Sequence, residues 1–202
     1  MFRALVGGAL VALQLTRPAA FTERAPAIYR AAFETSKGAF VVEVHRAWAP
    51  LGADRFFNLV KSGFYDGCRF FRVIDSSVVQ AGMHGDPKVQ AAWALATIPD
   101  EPATESNRRG TVALASGGPD TRSTQFFINL ADNGRLLDRQ HLPPFGRVIS
   151  GMDVVDSLYS GYGEGAPRGT GPDQGRIRLE GNAYLERTFP KLDYVKKATI
   201  EK

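Results

Sequence analysis

The sequence predicts a mainly β protein, built as a closed antiparallel barrel with helices over its open ends. Short β-rich segments recur along the chain, and the 21 glycines and 12 prolines suit many tight turns better than a helical bundle. Only two or three segments have the apolar spacing of a helix. Many short strands with few helices are typical of closed β architectures.

The first elements are a hairpin and a helix. Residues 29–34 and 39–45 are β-rich and flank a turn that ends at Gly38, so they predict two paired strands. Pro50 then opens a segment whose apolar residues recur with helical spacing, and Gly63 is placed to end that helix. One amphipathic helix is therefore expected directly after one hairpin.

The remaining chain continues mainly as strands and loops. A long, polar surface loop is predicted between residues 83 and 109, because the hydrophobic pattern fades there. The glycine-rich segment 161–171 is a predicted loop that follows a helix, whereas a dinucleotide-binding motif would follow a strand. Further strands are predicted at 70–74, 78–81, 111–115, 125–130, 145–149 and near 198–200, with helical segments at 152–159 and 183–189.

Composition excludes several function classes. The 202-residue length fits one domain, and 44% hydrophobic with 23% charged residues is ordinary for a soluble globular protein. The net charge of +4 is spread without long basic runs, so no nucleic-acid partner is expected. A single cysteine, Cys68, excludes an internal disulfide and a cysteine metal cluster. His45 and His84 have no partners at ligand spacing, so no metal is expected.

The amino terminus has the pattern of a secretory signal. It carries an early arginine, an apolar run at residues 4–15 that is short for a membrane span, and then small residues. We therefore expect a signal peptide or leader at 1–20, a linker at 21–31 and one domain at 32–202, with the protein in the secretory pathway or outside the cell. Arg17 and Pro18 interrupt the small-residue pattern, so two alternatives stay open: a bipartite leader directed to a plastid, and an uncleaved membrane anchor.

Two polar residues interrupt apolar runs in the segment 68–85. Arg72 and Gln80 stand where the strand pattern calls for hydrophobic residues. Strand alternation would place Arg72 on the same face as Phe70. The ordinary explanation is an arginine whose aliphatic stem covers apolar neighbours, and the alternative is a functional charge.

Three sequence blocks resemble the cyclophilin family of peptidyl-prolyl isomerases. The blocks are FYDGCRFFRVI at 64–74, TQFFINL at 124–130 and FGRVISGMDVVD at 145–156, and the resemblance runs from about residue 33 to residue 200. It implies an eight-stranded antiparallel barrel capped by two helices, and an isomerase that acts on peptide bonds preceding proline and assists protein folding. It also implies a monomer that binds proline-containing polypeptides and needs no cofactor.

The resemblance also assigns candidate site residues. Arg72 matches the family's catalytic arginine, and Gln80 matches the glutamine that orients it. The segment that leads into the block at 145 is one residue longer than is commonest in the family. The family's pocket histidine position therefore falls on either His141 or Leu142. The full set of expected substrate-binding residues is Phe70, Ser77, Val78, Ser116, Gln125, Phe127, Leu136 and either His141 or Leu142.

The proline pocket departs from the family pattern. Ser77 and Val78 fall where the family has phenylalanine and methionine, so apolar surface that should contact the proline ring is lost. At ~25 cal/mol per Å², this loss weakens proline binding by about one to three kcal/mol. The alternative function is therefore a proline-peptide binding module or chaperone with weak or no turnover. Leu136 replaces a common tryptophan, which predicts weak binding of the family's cyclic peptide drug.

Overall fold

The computed structural model describes residues 14–201, and its centre is one eight-stranded antiparallel sheet. Along the sheet the strands follow the order β3-β4-β6-β5-β7-β2-β1-β8. The prediction of a mainly β protein with eight antiparallel strands is confirmed. The strands are β1 Ile28–Thr35, β2 Ala39–His45, β3 Arg72–Ile74, β4 Val78–Ala81, β5 Thr111–Leu114, β6 Phe126–Asn129, β7 Pro144–Ser150 and β8 Val195–Ile200.

The predicted hairpin is formed by β1 and β2. The turn is fixed where Thr35 N donates to Gly38 O at 2.8 Å, and Gly38 adopts a φ of 140° that favours glycine. Phe33 lies opposite Phe40, and their rings stack with centroids 4.9 Å apart in the core. Since β1 already begins at Ile28, this strand starts inside the segment 21–31 that was expected to be a linker.

The two outer strands of the sheet approach each other through the residues that precede them. Phe70 N donates to Asp193 O at 2.9 Å, and Val195 N donates to Cys68 O at 2.9 Å. The sheet therefore curls back on itself, with residues 67–70 beside the start of β8.

The predicted face shared by Phe70 and Arg72 is wrong. Regular strand geometry begins only at Arg72, so the alternation does not extend back to Phe70. Phe70 is fully buried in the main core together with Val73, whereas Arg72 lies partly exposed at a groove.

Helices cover the sheet, and there are more of them than the two expected. The described part also contains short 3-10 turns at Pro18–Ala20 and Asp138–Gln140. The two expected helices are α1 and α4, and α6 matches the helical segment predicted at 183–189. The helices are α1 Pro50–Lys61, α2 Pro87–Trp93, α3 Gly134–Leu137, α4 Met152–Asp156, α5 Gln174–Glu180 and α6 Asn182–Thr188.

Helix α2 corrects the prediction of a continuous loop between residues 83 and 109. The Asp86 side chain caps the helix by accepting from Lys88 N at 2.8 Å, and Pro87 occupies the first turn. Val89 and Trp93 are buried, so the helix is stabilised by packing as well as by its cap. The Asp-Pro pair was the sequence signal for this helix.

The described end of the expected leader packs against α2. Trp93 Nε1 donates to Leu15 O at 2.8 Å, and only 4% of the Leu15 surface is exposed. Residues 1–13, which hold most of the predicted signal segment, lie outside the described residues. Within residues 14–201, no helix combines the length and the hydrophobicity needed to cross a bilayer.

Candidate active site

The candidate site is a groove of about 360 Å³ on one side of strands β3, β4 and β6. The sheet register places Arg72 directly opposite Gln80, and Gln80 directly opposite Phe127. Because cross-strand neighbours project to the same face, three adjacent strands present a charge, an amide and an aromatic ring side by side. This row explains why polar residues interrupt the apolar runs of β3 and β4.

The polar side chains of the groove form a chain of hydrogen bonds. Arg72 Nη1 donates to Gln80 Oε1 at 3.2 Å, and Gln80 Nε2 donates to Gln125 Oε1 at 2.7 Å. Gln125 Nε2 in turn donates to Gln174 Oε1 at 3.3 Å. Gln80 and Gln125 each accept on one side and donate on the other, which fixes the orientation of Gln80 beside the arginine.

An acidic residue that the sequence did not point to also binds Arg72. Arg72 Nε donates to Glu164 Oε1 at 2.8 Å, and Arg72 Nη2 donates to Glu164 Oε2 at 2.9 Å. These hydrogen bonds from Arg72 hold the pKa of the Glu164 carboxyl below its ordinary value, so Glu164 is ionised near neutral pH. Glu164 lies 92 residues from Arg72, in the predicted loop 161–171, so no local spacing could connect them.

The other end of the groove is apolar. Val78, Phe127 and Leu142 pack together with Ala113 as a small cluster separate from the main core. We call these four residues the apolar cluster. Phe127 is only 5% exposed, and it lies beside Gln80 in the neighbouring strand. Three members of the apolar cluster, Val78, Phe127 and Leu142, line the groove that also contains Arg72, so an apolar group could lie against them in the same groove as the arginine.

The structure distinguishes the two candidates for the next pocket position. Leu142 belongs to the apolar cluster and lines the groove. His141 ends the 3-10 turn Asp138–Gln140 with a φ of 53°, and its side chain is exposed away from the groove lining. Of the two candidates, only Leu142 therefore lies in the groove lining.

Most of the other expected residues also line the groove. Ser77, Ser116 and Leu136 lie along it, and Leu136 is 64% exposed at its margin. Gln125 lies in an adjoining cavity that shares Gln80 and Ser116 with the groove.

Phe70 was expected to contact substrate, and its position contradicts this. It is fully buried in the main core, where its ring contacts Phe40 with centroids 6.5 Å apart. Its side chain therefore supports the sheet beneath the site.

Sequence reasoning missed other groove residues besides Glu164, and Asn133 and Arg168 are two of them. Asn133 Nδ2 donates to Ser77 O at 2.9 Å and fixes the turn between β3 and β4. Arg168 lies on the same loop as Glu164 and adds positive charge to the groove margin. Both residues come from loops, where neither hydrophobic period nor spacing indicates which way a side chain faces.

Comparisons with known proteins agree with this geometry. Residues 30–176 match the family model described as cyclophilin type peptidyl-prolyl cis-trans isomerase/CLD. A peptidyl-prolyl cis-trans isomerase of Acinetobacter baylyi is 38% identical over 130 residues, which cover 62% of this chain and 69% of that protein. The peptidyl-prolyl cis-trans isomerase cyp18 of Streptomyces antibioticus is 38% identical over 143 residues, which cover 67% of this chain and 85% of that protein.

A solved structure shows the same fold. A cyclophilin type peptidyl-prolyl cis-trans isomerase of Cryptosporidium parvum superposes with a TM-score of 0.63 at 21% identity, over 87% of this chain and 98% of that chain. The sequence matches identify the family, and the structural match supports the fold. The chain therefore belongs to the cyclophilin type peptidyl-prolyl cis-trans isomerase family.

Proposed function

We propose that this protein catalyses cis-trans isomerisation of peptide bonds preceding proline in the groove that holds Arg72, Gln80 and the apolar cluster. The observation that carries the proposal is a guanidinium held by two partners in the same groove as the apolar residues Val78, Phe127 and Leu142. The expected substrates are exposed or unfolded proline-containing segments, so the protein would assist protein folding. A solved Cryptosporidium parvum relative was crystallised in the presence of the dipeptide Ala-Pro, which supports this class of ligand.

The chemistry requires only binding and electrostatics. Rotation about the peptide bond has a barrier of roughly 18–20 kcal/mol, because the nitrogen lone pair is delocalised into the carbonyl. In the twisted transition state that lone pair becomes localised on the proline nitrogen. Free N–H groups of Arg72 can donate to the substrate carbonyl or to the pyramidal nitrogen, which stabilises the twisted amide. The apolar cluster meanwhile holds the proline ring.

Substitution of Arg72 tests the proposed isomerase activity. We expect Arg72→Ala to lower kcat/KM for a proline-containing tetrapeptide by about a hundredfold or more, since it removes preorganised donors at the reacting bond. Arg72→Lys should recover little of the activity, because an ammonium cannot reproduce the planar fork. Circular dichroism and thermal unfolding would show whether the variants keep the fold. Unchanged turnover by a folded Arg72→Ala protein would contradict the assignment.

The second candidate function is proline-peptide binding with weak or no turnover. It is favoured by Ser77, whose small polar side chain lies half-buried at the groove where a larger apolar group would contact the ring. The two functions are distinguished by the ratio of the wild-type kcat/KM to that of Arg72→Ala. A binding module would bind a proline peptide, as measured by calorimetry, while the wild-type kcat/KM stays within a few-fold of the rate with Arg72→Ala.

We retain the secretory pathway as the proposed location, with cleavage of the leader near residue 20. Cleavage after Ala20 would remove the Leu15 carbonyl to which Trp93 donates, so the mature protein would lose this contact. Sequencing the amino terminus of the protein purified from its natural source tests the proposal. A start near Phe21 would support it, and an intact Met1 would contradict it.

A further inference from the structure

We propose that Glu164 is a positioning residue for the isomerase reaction, holding the Arg72 guanidinium in the plane from which its free N–H groups reach the bound peptide. The inference rests on the proposed isomerase function, and it adds a residue from outside the three sequence blocks that identify the family. Glu164 lies in the loop 161–171, and its side chain lines the groove.

The donors of Arg72 can be counted. A guanidinium has five N–H groups, one on Nε and two on each Nη. Glu164 accepts from Nε and from one N–H of Nη2, and Gln80 accepts from one N–H of Nη1. One N–H on each Nη is left over. These two groups lie in the same plane as the three that are bound, so the orientation of the free pair is set by Glu164 and Gln80.

Two partners constrain the guanidinium more than one. Gln80 alone makes a single contact, about which the long arginine side chain could still turn. The paired hydrogen bonds to Glu164 are a bidentate fork, which fixes the plane as well as the position. The side chains of Arg72 and Glu164 are 23% and 28% exposed, so the pair is neither fully solvated nor sealed from a bound peptide.

The carboxylate is itself held in place by its loop. Gly165 N donates to Glu164 Oε1 at 2.9 Å, and Gly171 N donates to Glu164 O at 2.9 Å. A side chain at Gly171 would place a Cβ only 2.8 Å from Glu164 O, so this close approach requires glycine. The loop therefore presents Glu164 as a fixed acceptor, which is what a positioning residue needs.

The opposite role would be an inhibitory contact, in which Glu164 occupies the donors that the substrate needs. The donor count argues against this role, because one N–H on each of Nη1 and Nη2 has no hydrogen-bond acceptor among the described residues. Partial exposure of the pair also lets solvent screen the carboxylate, so the arginine keeps much of its field toward the groove.

The first experiment compares Glu164→Ala, Glu164→Gln and a matched control, Glu186→Ala. Glu186 forms an ion pair with Arg69 at 2.7 Å, outside the groove lining. We expect Glu164→Ala to lower kcat about tenfold to a hundredfold, with KM changed less than about twofold, because a misplaced catalytic group affects the transition state more than ground-state binding. Glu164→Gln should recover part of kcat, since its amide oxygen can still accept from Nε. The control should keep wild-type values.

A second readout does not depend on activity. In the ¹⁵N spectrum, the Nε–H of Arg72 should give a slowly exchanging signal in the wild type and in Glu186→Ala, assigned by its absence in Arg72→Lys. Glu164→Ala should make that proton exchange rapidly with solvent. If Glu164→Ala fails to fold, Glu164→Gln is judged by the same two measurements.

Three results would overturn the inference: a folded Glu164→Ala protein with wild-type or higher kcat, a loss confined to KM, or an unchanged Nε–H signal. Arg72→Ala separates this failure from failure of the proposed function. If Arg72→Ala loses activity and Glu164→Ala does not, only the positioning role is wrong. If Arg72→Ala is fully active, the catalytic assignment is wrong as well.

Discussion

Replacing Ser77 by phenylalanine should strengthen proline binding. Ser77 lies half-buried at the groove, next in sequence to Val78 of the apolar cluster. The hydrogen bonds that fix its turn use backbone atoms, since Ser77 O accepts from Leu130 N at 2.8 Å and from Asn133 Nδ2 at 2.9 Å. A larger side chain can therefore be introduced without removing these bonds.

The magnitude follows from the area that the new ring can cover. A phenylalanine can bury about 150–250 Å², and about 60 Å² of new contact with the proline ring at ~25 cal/mol per Å² is worth about 1.5 kcal/mol. This corresponds to about a tenfold lower Kd for a proline tetrapeptide. Because the ring contact is similar in the ground and transition states, KM should fall while kcat stays within about twofold.

The assay is isomerisation of a proline tetrapeptide over a range of concentrations, with calorimetry for Kd. Ser77→Ala is the control for loss of the hydroxyl. Ser157→Phe adds the same ring at an exposed position outside the groove lining. Unchanged KM and Kd in a folded Ser77→Phe protein would refute the placement of Ser77 beside the proline ring. A rise of kcat well beyond tenfold would instead favour the binding-module interpretation of the wild type.

Two further predictions concern stability. Burial lowers the pKa of His84 below its ordinary value of 6.5, partly offset by Asp86 and Asp66. As the pH falls, His84 is therefore protonated in the unfolded chain before it is protonated in the folded protein. The contribution of neutral His84 to the free energy of unfolding is complete above about pH 6.5 and is lost progressively as the pH falls toward the lowered pKa. Urea unfolding at several pH values between 5 and 7.5 should show that the unfolding free energy of His84→Gln falls less with decreasing pH than that of the wild type. An equal pH dependence in the two proteins would contradict the assignment. Glu101 accepts from Arg122 Nη1 at 3.0 Å and from two backbone N–H groups at the start of α1. Glu101→Ala should cost about 3–5 kcal/mol in urea unfolding, because it removes the hydrogen-bonded acid partner of the buried Arg122 and leaves only the more distant, partly exposed Asp100 at 3.8 Å; a loss under about 1 kcal/mol would contradict this.

The strands of the site were predictable because their signal is local. Arg72 and Gln80 break apolar runs in neighbouring strands, and a short turn between them requires antiparallel pairing. Phe127 sits in a third strand whose sequence block is recognisable without reference to the others. The alternation rule failed for Phe70, where the chain leaves regular strand geometry to meet residues 193–195 at the seam of the sheet. That contact joins segments more than 100 residues apart, so it cannot be predicted from a local sequence pattern.

The site residues that could not be placed from the sequence lie in loops. Which of His141 and Leu142 lines the groove depends on a tight turn. The sequence shows how many residues the turn has, but not which of their side chains faces the groove. Glu164 is a single acid in a glycine-rich loop, and glycine-rich composition indicates only that the backbone is free to approach closely.

The two kinds of residue divide the work of the site. The strands provide the charge and the apolar cluster, whose relative positions follow from register, so a substitution there changes whether a prolyl peptide is bound and polarised at all. The loop 161–171 provides two charged residues that line the groove, Glu164 and Arg168, and Glu164 is hydrogen-bonded to Arg72. Loop changes that leave Glu164 and Arg168 in place should be tolerated, whereas a shift of the Glu164 carboxylate by about 1 Å would lengthen two hydrogen bonds at once and release the guanidinium plane. If the proposed roles hold, catalytic efficiency depends on two separable properties: the apolar contact that Val78, Phe127 and Leu142 offer to the proline, which Ser77 limits, and the position in which the loop holds the charge of Arg72.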